Sequence, residues 1–262
     1  INDNNFTVSL SETTDGGMTI SSSFMLLNEN GSGGDMDAGF SLAFTDGSKL
    51  DVLNAGNASG SHDISIPASA GAESVTITSA NKAPTGLDFA AGSTVYGVEY
   101  HTASDFMADG LSMSFSLSTD NNASSTSTYA SDGHVAFGGT YVTDLGDSAV
   151  TVGFGYSAGE GSIAGTGPAS DENGIHAGVS AVTGDLTVAV GFADGDDITS
   201  NTASTPAVQV DGSVMKAGVK YVTGDLTFNV GVTSGEGADN AFGSTGGSDD
   251  SYDKTSASVS YA

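Results

Sequence analysis

The chain contains no cysteine, so neither a disulfide frame nor a thiolate metal site can form, and small stapled secreted folds are excluded. It contains no arginine either. Its 5 basic side chains are all lysines, set against 32 acidic ones for a formal net charge of -27. Nothing in such a chain can offset phosphate charge, which excludes nucleic acid as a partner. No run of about 18 apolar residues occurs, which removes a membrane-spanning helix. No basic segment followed by an apolar stretch opens the chain as a secretion signal would. With 37% hydrophobic residues and 38 glycines among 262, there is too little apolar material for two ordinary cores. Taken alone these numbers describe a disordered chain. The apolar residues, however, recur at alternate positions in short runs, an order that a disordered chain has no reason to keep.

Period two is the mark of a strand. Phe6, Val8 and Leu10 alternate with Thr7, Ser9 and Ser11, and a Thr-Thr-Asp-Gly-Gly turn follows. Met18, Ile20, Phe24 and Leu26 then share a face against Thr19, Ser21 and Ser23, so the two runs predict a hairpin, with a polar loop from Asn28 to Asp35 beyond it. Phe40, Leu42 and Phe44 alternate with Ser41, Ala43 and Thr45 up to Asp46-Gly47, a strong hairpin signal, and a weaker strand follows around Leu50 and Val52. After an irregular stretch the pattern resumes at Tyr96, Val98 and Tyr100. Leu111, Met113, Phe115 and Leu117 next oppose Ser112, Ser114, Ser116 and Ser118, as in a sheet with one oily and one wet face.

The second half repeats itself. Tyr141-Val-Thr-Asp, Ala181-Val-Thr-Gly-Asp and Tyr221-Val-Thr-Gly-Asp recur at 40-residue intervals (141, 181, 221). Each copy predicts an incoming strand, a tight turn, an outgoing strand and a long polar loop, the last loop running from Ser234 to Asp253. About 13 strands result, the last from Lys254 to Ala262.

Many antiparallel strands with one apolar face fit either a soluble sandwich that hides this face or a closed barrel that turns it to lipid. The second face is almost wholly Ser, Thr, Gly and Ala, and connections are short at one end and long at the other, which is the pattern of an outer-membrane barrel. A propeller also repeats at about 40 residues, but with four strands per unit and a Trp-Asp signature that is missing here. Tyr141 and Tyr221 stand just before short turns, while Phe154, Tyr156 and Phe192 stand toward long loops, as interfacial girdles do.

The residues from Phe6 to Phe24, a strand, a Thr-Asp-Gly-Gly turn and a strand, resemble the opening of the Gram-negative general porins, within them the alphaproteobacterial type. The stretch from Ala38 to Gly56 resembles the hairpin that follows, and the likeness runs over nearly the whole chain. It implies an all-β, antiparallel 16-stranded transmembrane barrel, assembled as a homotrimer in the outer membrane among lipid and lipopolysaccharide and passing small hydrophilic solutes and ions. It also implies a long third loop, here Asn57 to Phe89, folded into the lumen. If the first strand here matches the family's second, residues 1–262 form a single barrel domain truncated at both ends. Such porins set a ladder of arginines on early strands opposite acids on the third loop. This chain departs from that pattern, since Phe6 to Ser11 offers only Thr7, Ser9 and Ser11 to the lumen.

By parity, Glu99, His101, His176, Lys216 and Lys220 point into the lumen, and Asp63, Glu73, Lys82 and Asp88 lie on the inward loop. These nine residues are the expected pore constriction, in which carboxylates would attract cations and repel anions. Asp194, Asp196, Asp197, Asp249, Asp250 and Asp253 are read chiefly as solvated loop charge, with Ca2+ or Mg2+ bridging to lipopolysaccharide as an extra, and no EF-hand spacing is present. No other cofactor is expected. Enzymatic readings are poor: His62, His101, His134 and His176 lack metal spacing, Asp105 and Asp109 beside Met107 form no known pair, and no Gly-x-Ser-x-Gly elbow occurs. The competing expectation is an acidic, calcium-associated β-rich surface or adhesive protein.

Overall fold

The computed structural model describes residues 6–27, 39–53, 58–67, 97–118, 130–162, 170–199, 208–237 and 250–261. Within them lie β1 (Phe6–Thr13), β2 (Thr19–Leu27), β3 (Phe40–Ala43), β4 (Lys49–Val52), β5 (Gly97–His101), β6 (Leu111–Ser118) and β7 (Ala130–Leu145). They continue with β8 (Ser148–Ser162), β9 (Ser170–Thr183), β10 (Leu186–Thr199), β11 (Val208–Thr223), β12 (Leu226–Gly237) and β13 (Asp250–Tyr261). All 13 belong to one sheet in chain order, every neighbouring pair antiparallel. β1 and β13 are the outer strands and are not paired with each other.

The alternation read from the sequence places the side chains as expected. Val152, Phe154 and Tyr156 are exposed on one face of β8, and Gly153, Gly155 and Ser157 are buried on the other. The exposed face bears large apolar groups along the sheet, among them Phe115, Phe137, Phe192 and Tyr221. Apolar side chains left outward along so many strands need a lipid solvent, because in water they would contribute nothing to folding. The girdle residues Tyr141, Tyr221, Phe154, Tyr156 and Phe192 all stand on this face.

Three tight turns join the long hairpins, at Gly146-Asp147, Gly184-Asp185 and Gly224-Asp225. In each the glycine holds a positive φ (65°, 55° and 56°), which a two-residue hairpin demands of its first central residue and which glycine adopts without steric cost. The first turn falls two residues beyond the Asp144-Leu145 position that the 40-residue repeat gives, because β7 runs on to Leu145. The strands are also longer than the sequence suggests. β12 extends to Gly237 and β13 begins at Asp250, so the last connection is shorter than the predicted Ser234 to Asp253. Asp194, Asp196 and Asp197 belong to β10 and Asp250 and Asp253 to β13, which corrects their reading as loop acids. Asp249 lies outside the described residues.

Strand length divides the sheet. β3 and β4 have 4 residues each and β5 has 5, whereas β7 and β11 have 16. At about 3.3 Å per residue a 16-residue strand is roughly 50 Å long, well beyond the ~25 Å apolar band of such barrels even when tilted, so its end stands clear of the bilayer.

Candidate functional site

Residues 58–67 lie on the polar face of the sheet and are the described beginning of the predicted inward loop. A single 3-10 turn, Gly60–His62, opens the segment, and it then runs extended, with Asp63 at φ -61° and ψ 137°. Ser61, Asp63 and Ser65 are exposed, while His62, Ile64 and Ile66 turn to the wall, with Ile64 only 7% exposed. The segment crosses from β6 to β11. The Ala58 amide donates to Ser116 Oγ on β6, and Ile66 packs on Ala193 and Val214 of β10 and β11.

Glycine makes this approach possible. A Cβ at Gly138 would stand 2.6 Å from the His62 ring, one at Gly155 2.7 Å from Ser59 Cβ, and one at Gly178 2.9 Å from Ile64 Cβ. At Gly153 it would meet the His62 carbonyl, and at Gly218 the carbonyl of Pro67. These positions run along the polar face of β7, β8, β9 and β11, forming a floor of bare backbone on which the loop main chain rests. Side chains there would hold the loop off, because a Cβ under 3.0 Å from backbone cannot be accommodated without movement.

Hydrogen bonds fix the register of the segment. His62 Nδ1 is 2.7 Å from Thr140 Oγ1 and its Nε2 2.9 Å from Ser114 Oγ. His176 on β9 donates from Nε2 to the Ser59 carbonyl at 2.9 Å, and its Nδ1 stands 3.0 Å from Asp63 Oδ1. Ser61 donates to Glu99 Oε1 at 3.1 Å. Burial, reinforced by the nearby His101 and His176, pushes the His62 imidazole down to about 4, so this ring is neutral at ordinary pH.

Beside the loop lies an acidic pair on the short strands. Asp51 and Glu99 are register partners on β4 and β5. Asp51 accepts from Ser41 Oγ, from Lys49 Nζ at 2.7 Å and from His101 Nε2 at 3.1 Å, and Glu99 Oε1 is 3.5 Å from the same His101 nitrogen. Glu99 is 2% exposed, yet it remains bonded to Ser61, as a buried carboxylate must. Beyond this pair, the polar face of β1 and β2 carries paired hydroxyls: Ser9 meets Ser23 at 3.1 Å and Thr13 meets Thr19 at 2.9 Å.

Of the nine residues expected at the constriction, Glu99, His101, His176 and Asp63 are gathered around the loop. Lys216 and Lys220 share the polar face of β11, with Lys216 beside the row of Gly178 and Gly191. Glu73, Lys82 and Asp88 lie outside the described residues. Sequence reading missed Asp51, Ser114, Thr140 and the part played by His62. A signal was available, since Asp63 to Ile66 alternates polar and apolar as a strand does and His62 keeps the parity of Ile64 and Ile66. Among the described residues no group of three or more histidine and carboxylate side chains is placed to hold a metal ion.

The profile of the Gram-negative porin family matches residues 1–262, the whole of the chain. The fold is similar to that of a porin refined at 1.8 Å resolution, with 18% identity and a TM-score of 0.60, covering 97% of this chain and 80% of that one. It is likewise similar to OmpF of Salmonella typhi in complex with daunomycin, at 15% identity and a TM-score of 0.59, covering 97% and 78%. No curated protein matches the chain by sequence.

Proposed function

The chain belongs to the Gram-negative porins, a non-enzymatic family of outer-membrane channels, and from that premise we propose that it passes small hydrophilic solutes and ions by passive diffusion with a preference for cations. Such a channel needs no cofactor or energy source. Its outward face contacts lipid and, at the long-strand rim, lipopolysaccharide, and the assembly is a homotrimer.

The observation that supports the cation preference is where the charges sit along the strands. At one end Asp15, Asp46, Asp147, Asp185 and Asp225 occupy exposed turns. At the other, Asp194, Asp196 and Asp197 on β10, Asp211 on β11 and Glu236 on β12 stand toward the strand ends. Of the described lysines, Lys49 opens β4 beside the Asp46 turn, while Lys216 and Lys220 on β11 and Lys254 on β13 lie between. Within the lumen these bases roughly balance Asp51, Asp63 and Glu99. Both mouths are therefore acidic while the middle is nearly neutral, so cations concentrate at the entrances and anions are repelled there.

Selectivity that arises at the mouths is screened by salt, since the Debye length shrinks from about 30 Å at 0.01 M to about 3 Å at 1 M. Reversal potentials of the reconstituted chain in a potassium chloride gradient should favour potassium several-fold at low salt and approach neutrality at high salt. Absence of conductance rejects the channel, and anion preference at low salt rejects the role of the rims.

A further inference from the structure

Both ring nitrogens of His62 meet hydroxyls, and one of these hydroxyls leads on to a second imidazole. Ser114 Oγ is 2.9 Å from His62 Nε2 and 2.8 Å from His101 Nδ1. His101 Nε2 faces Asp51 Oδ2 at 3.1 Å, which Lys49 Nζ also meets. At the other end Thr140 Oγ1 is 2.7 Å from His62 Nδ1. Thr140, His62, Ser114, His101 and Asp51 thus form one unbroken chain from the loop, through the wall, to the acidic pair. Ser114 is 2% exposed, so it bonds to the two rings rather than to bulk water.

Donor capacity limits how this chain can be wired. A hydroxyl has one proton to give, a neutral imidazole offers one N–H and one lone pair, and a carboxylate only accepts. When His101 is neutral its Nε2–H faces Asp51, so its Nδ1 accepts from Ser114. The Ser114 oxygen then accepts from His62 Nε2–H, and His62 Nδ1 accepts from Thr140. When His101 carries a second proton, Nδ1–H donates to Ser114, and Ser114 turns its own proton to His62 Nε2. His62 then holds its single proton on Nδ1 and donates it to Thr140. Both wirings give every ring nitrogen and the Ser114 hydroxyl a partner, and in the second Thr140 turns its own proton away from His62.

We propose that Ser114 makes the tautomer of His62 on the loop follow the charge of His101 on the wall, so that the loop keeps both bonds while the charge beside the acidic pair changes. The proton balance closes with one proton. Taken from lumen water at Thr140, it enters His62 at Nδ1; the Nε2 proton passes to Ser114, and the Ser114 proton passes to His101 Nδ1. Only N–H and O–H bonds are exchanged. The charged or titratable groups facing His101 are Asp51 and Lys49 from β4, Glu99 from its own strand and His62 from the loop. Those near His62 are His101 and His176, the latter facing Asp63, with Lys216 beyond. Because the His62 ring itself takes a second proton only near 4, it is neutral at ordinary pH and carries a single movable ring proton.

The consequence for conduction, which rests on the proposed channel, is a cation preference that declines on acidification. The wiring can be tested without conduction. The chain has 4 histidines, so ring nitrogens of the full chain labelled with nitrogen-15 at histidine and reconstituted in lipid can be assigned by replacing each in turn. Spectra would start at about pH 8 and descend until His101 shows two ring protons. His62 should pass from the Nε2–H to the Nδ1–H tautomer with the same midpoint as His101. In Ser114→Ala, His62 should no longer follow. Thr140→Val removes the acceptor that Nδ1–H needs and should hold His62 as Nε2–H, while Thr140→Ser keeps the switch. A His62 ring that stays in one tautomer while His101 gains its proton overturns the proposal, as does a switch that survives Ser114→Ala. Should Ser114→Ala fail to fold, the unmodified chain and Thr140→Val decide by themselves. A switching ring in a chain that does not conduct would reject the channel and leave the wiring standing.

Discussion

The short strands β4 to β6 and the long strands β7 to β11 hold the same loop by opposite means. On β4 to β6 the wall reaches out with side chains, where Ser114, Ser116 and Glu99 each bond a loop group. On β7 to β11 Thr140 and His176 reach out in that way, and elsewhere the wall withdraws its side chains, so that Gly138, Gly153, Gly155, Gly178 and Gly218 let loop backbone and Ile64 come down to the sheet. Polar bonds are directional but individually modest, near 1 kcal/mol net, and they set register. Close packing is less directional and sums over many contacts, and it sets depth. The comparison teaches that the height of the loop above the wall and its position along the wall are separately encoded.

The largest effect should come from emptying the packed side. Ile64→Ala removes an apolar side chain only 7% exposed and should cost about 2–4 kcal/mol of loop docking. Single-channel records should then show frequent steps between conductance levels in place of one steady level. Filling the floor comes next. Gly153→Ala sets a methyl against the His62 carbonyl and 2.9 Å from Ile64 Cδ1, and overpacking of this kind costs about 1–3 kcal/mol. Conductance should change while trimers still migrate as heat-modifiable species, and an unaltered conductance would show that the loop is held by its polar side alone.

The polar side is tested more gently by pH. Docking holds His62 near 4 against an ordinary value of about 6.5, so the docked loop disfavours the charged ring. Docking strength is complete above about pH 6.5, declines as pH falls below it, and reaches its minimum once pH is under about 4. Conductance steps should therefore increase over that window, and His62→Asn should flatten the response. A response unchanged by this substitution would move the sensing group elsewhere.

Much of the fold was legible because its two faces meet different solvents. Alternation such as Leu111 to Ser118 needs no tertiary knowledge to read, and the Gly-Asp turns announce themselves through the conformation that only glycine takes easily. The strand ends were harder, because beyond the bilayer the demand for apolar side chains lapses and Asp194 to Asp197 can continue β10 without looking like a strand. In the site, parity located Glu99, His101, His176, Lys216 and Lys220 on the polar face. It could not find Ser114 or Thr140, which look like any other inward hydroxyl until a ring from a loop some 50 to 80 residues away in the chain lands on them, the separations being 52 and 78. Glycines carry no pattern of their own, so the floor became visible only with the loop lying on it.

The bare stretch of wall beneath the loop also has a use for anyone who wishes to reshape the channel. A sieve is commonly narrowed by enlarging what lines the hole, which alters chemistry and bore together. Here the positions that govern the loop's height face the underside of the loop and not its exposed side. Small alkyl groups added at Gly153 or Gly178 should act as shims of graded thickness beneath the loop, raising it while the residues on its exposed side stay the same.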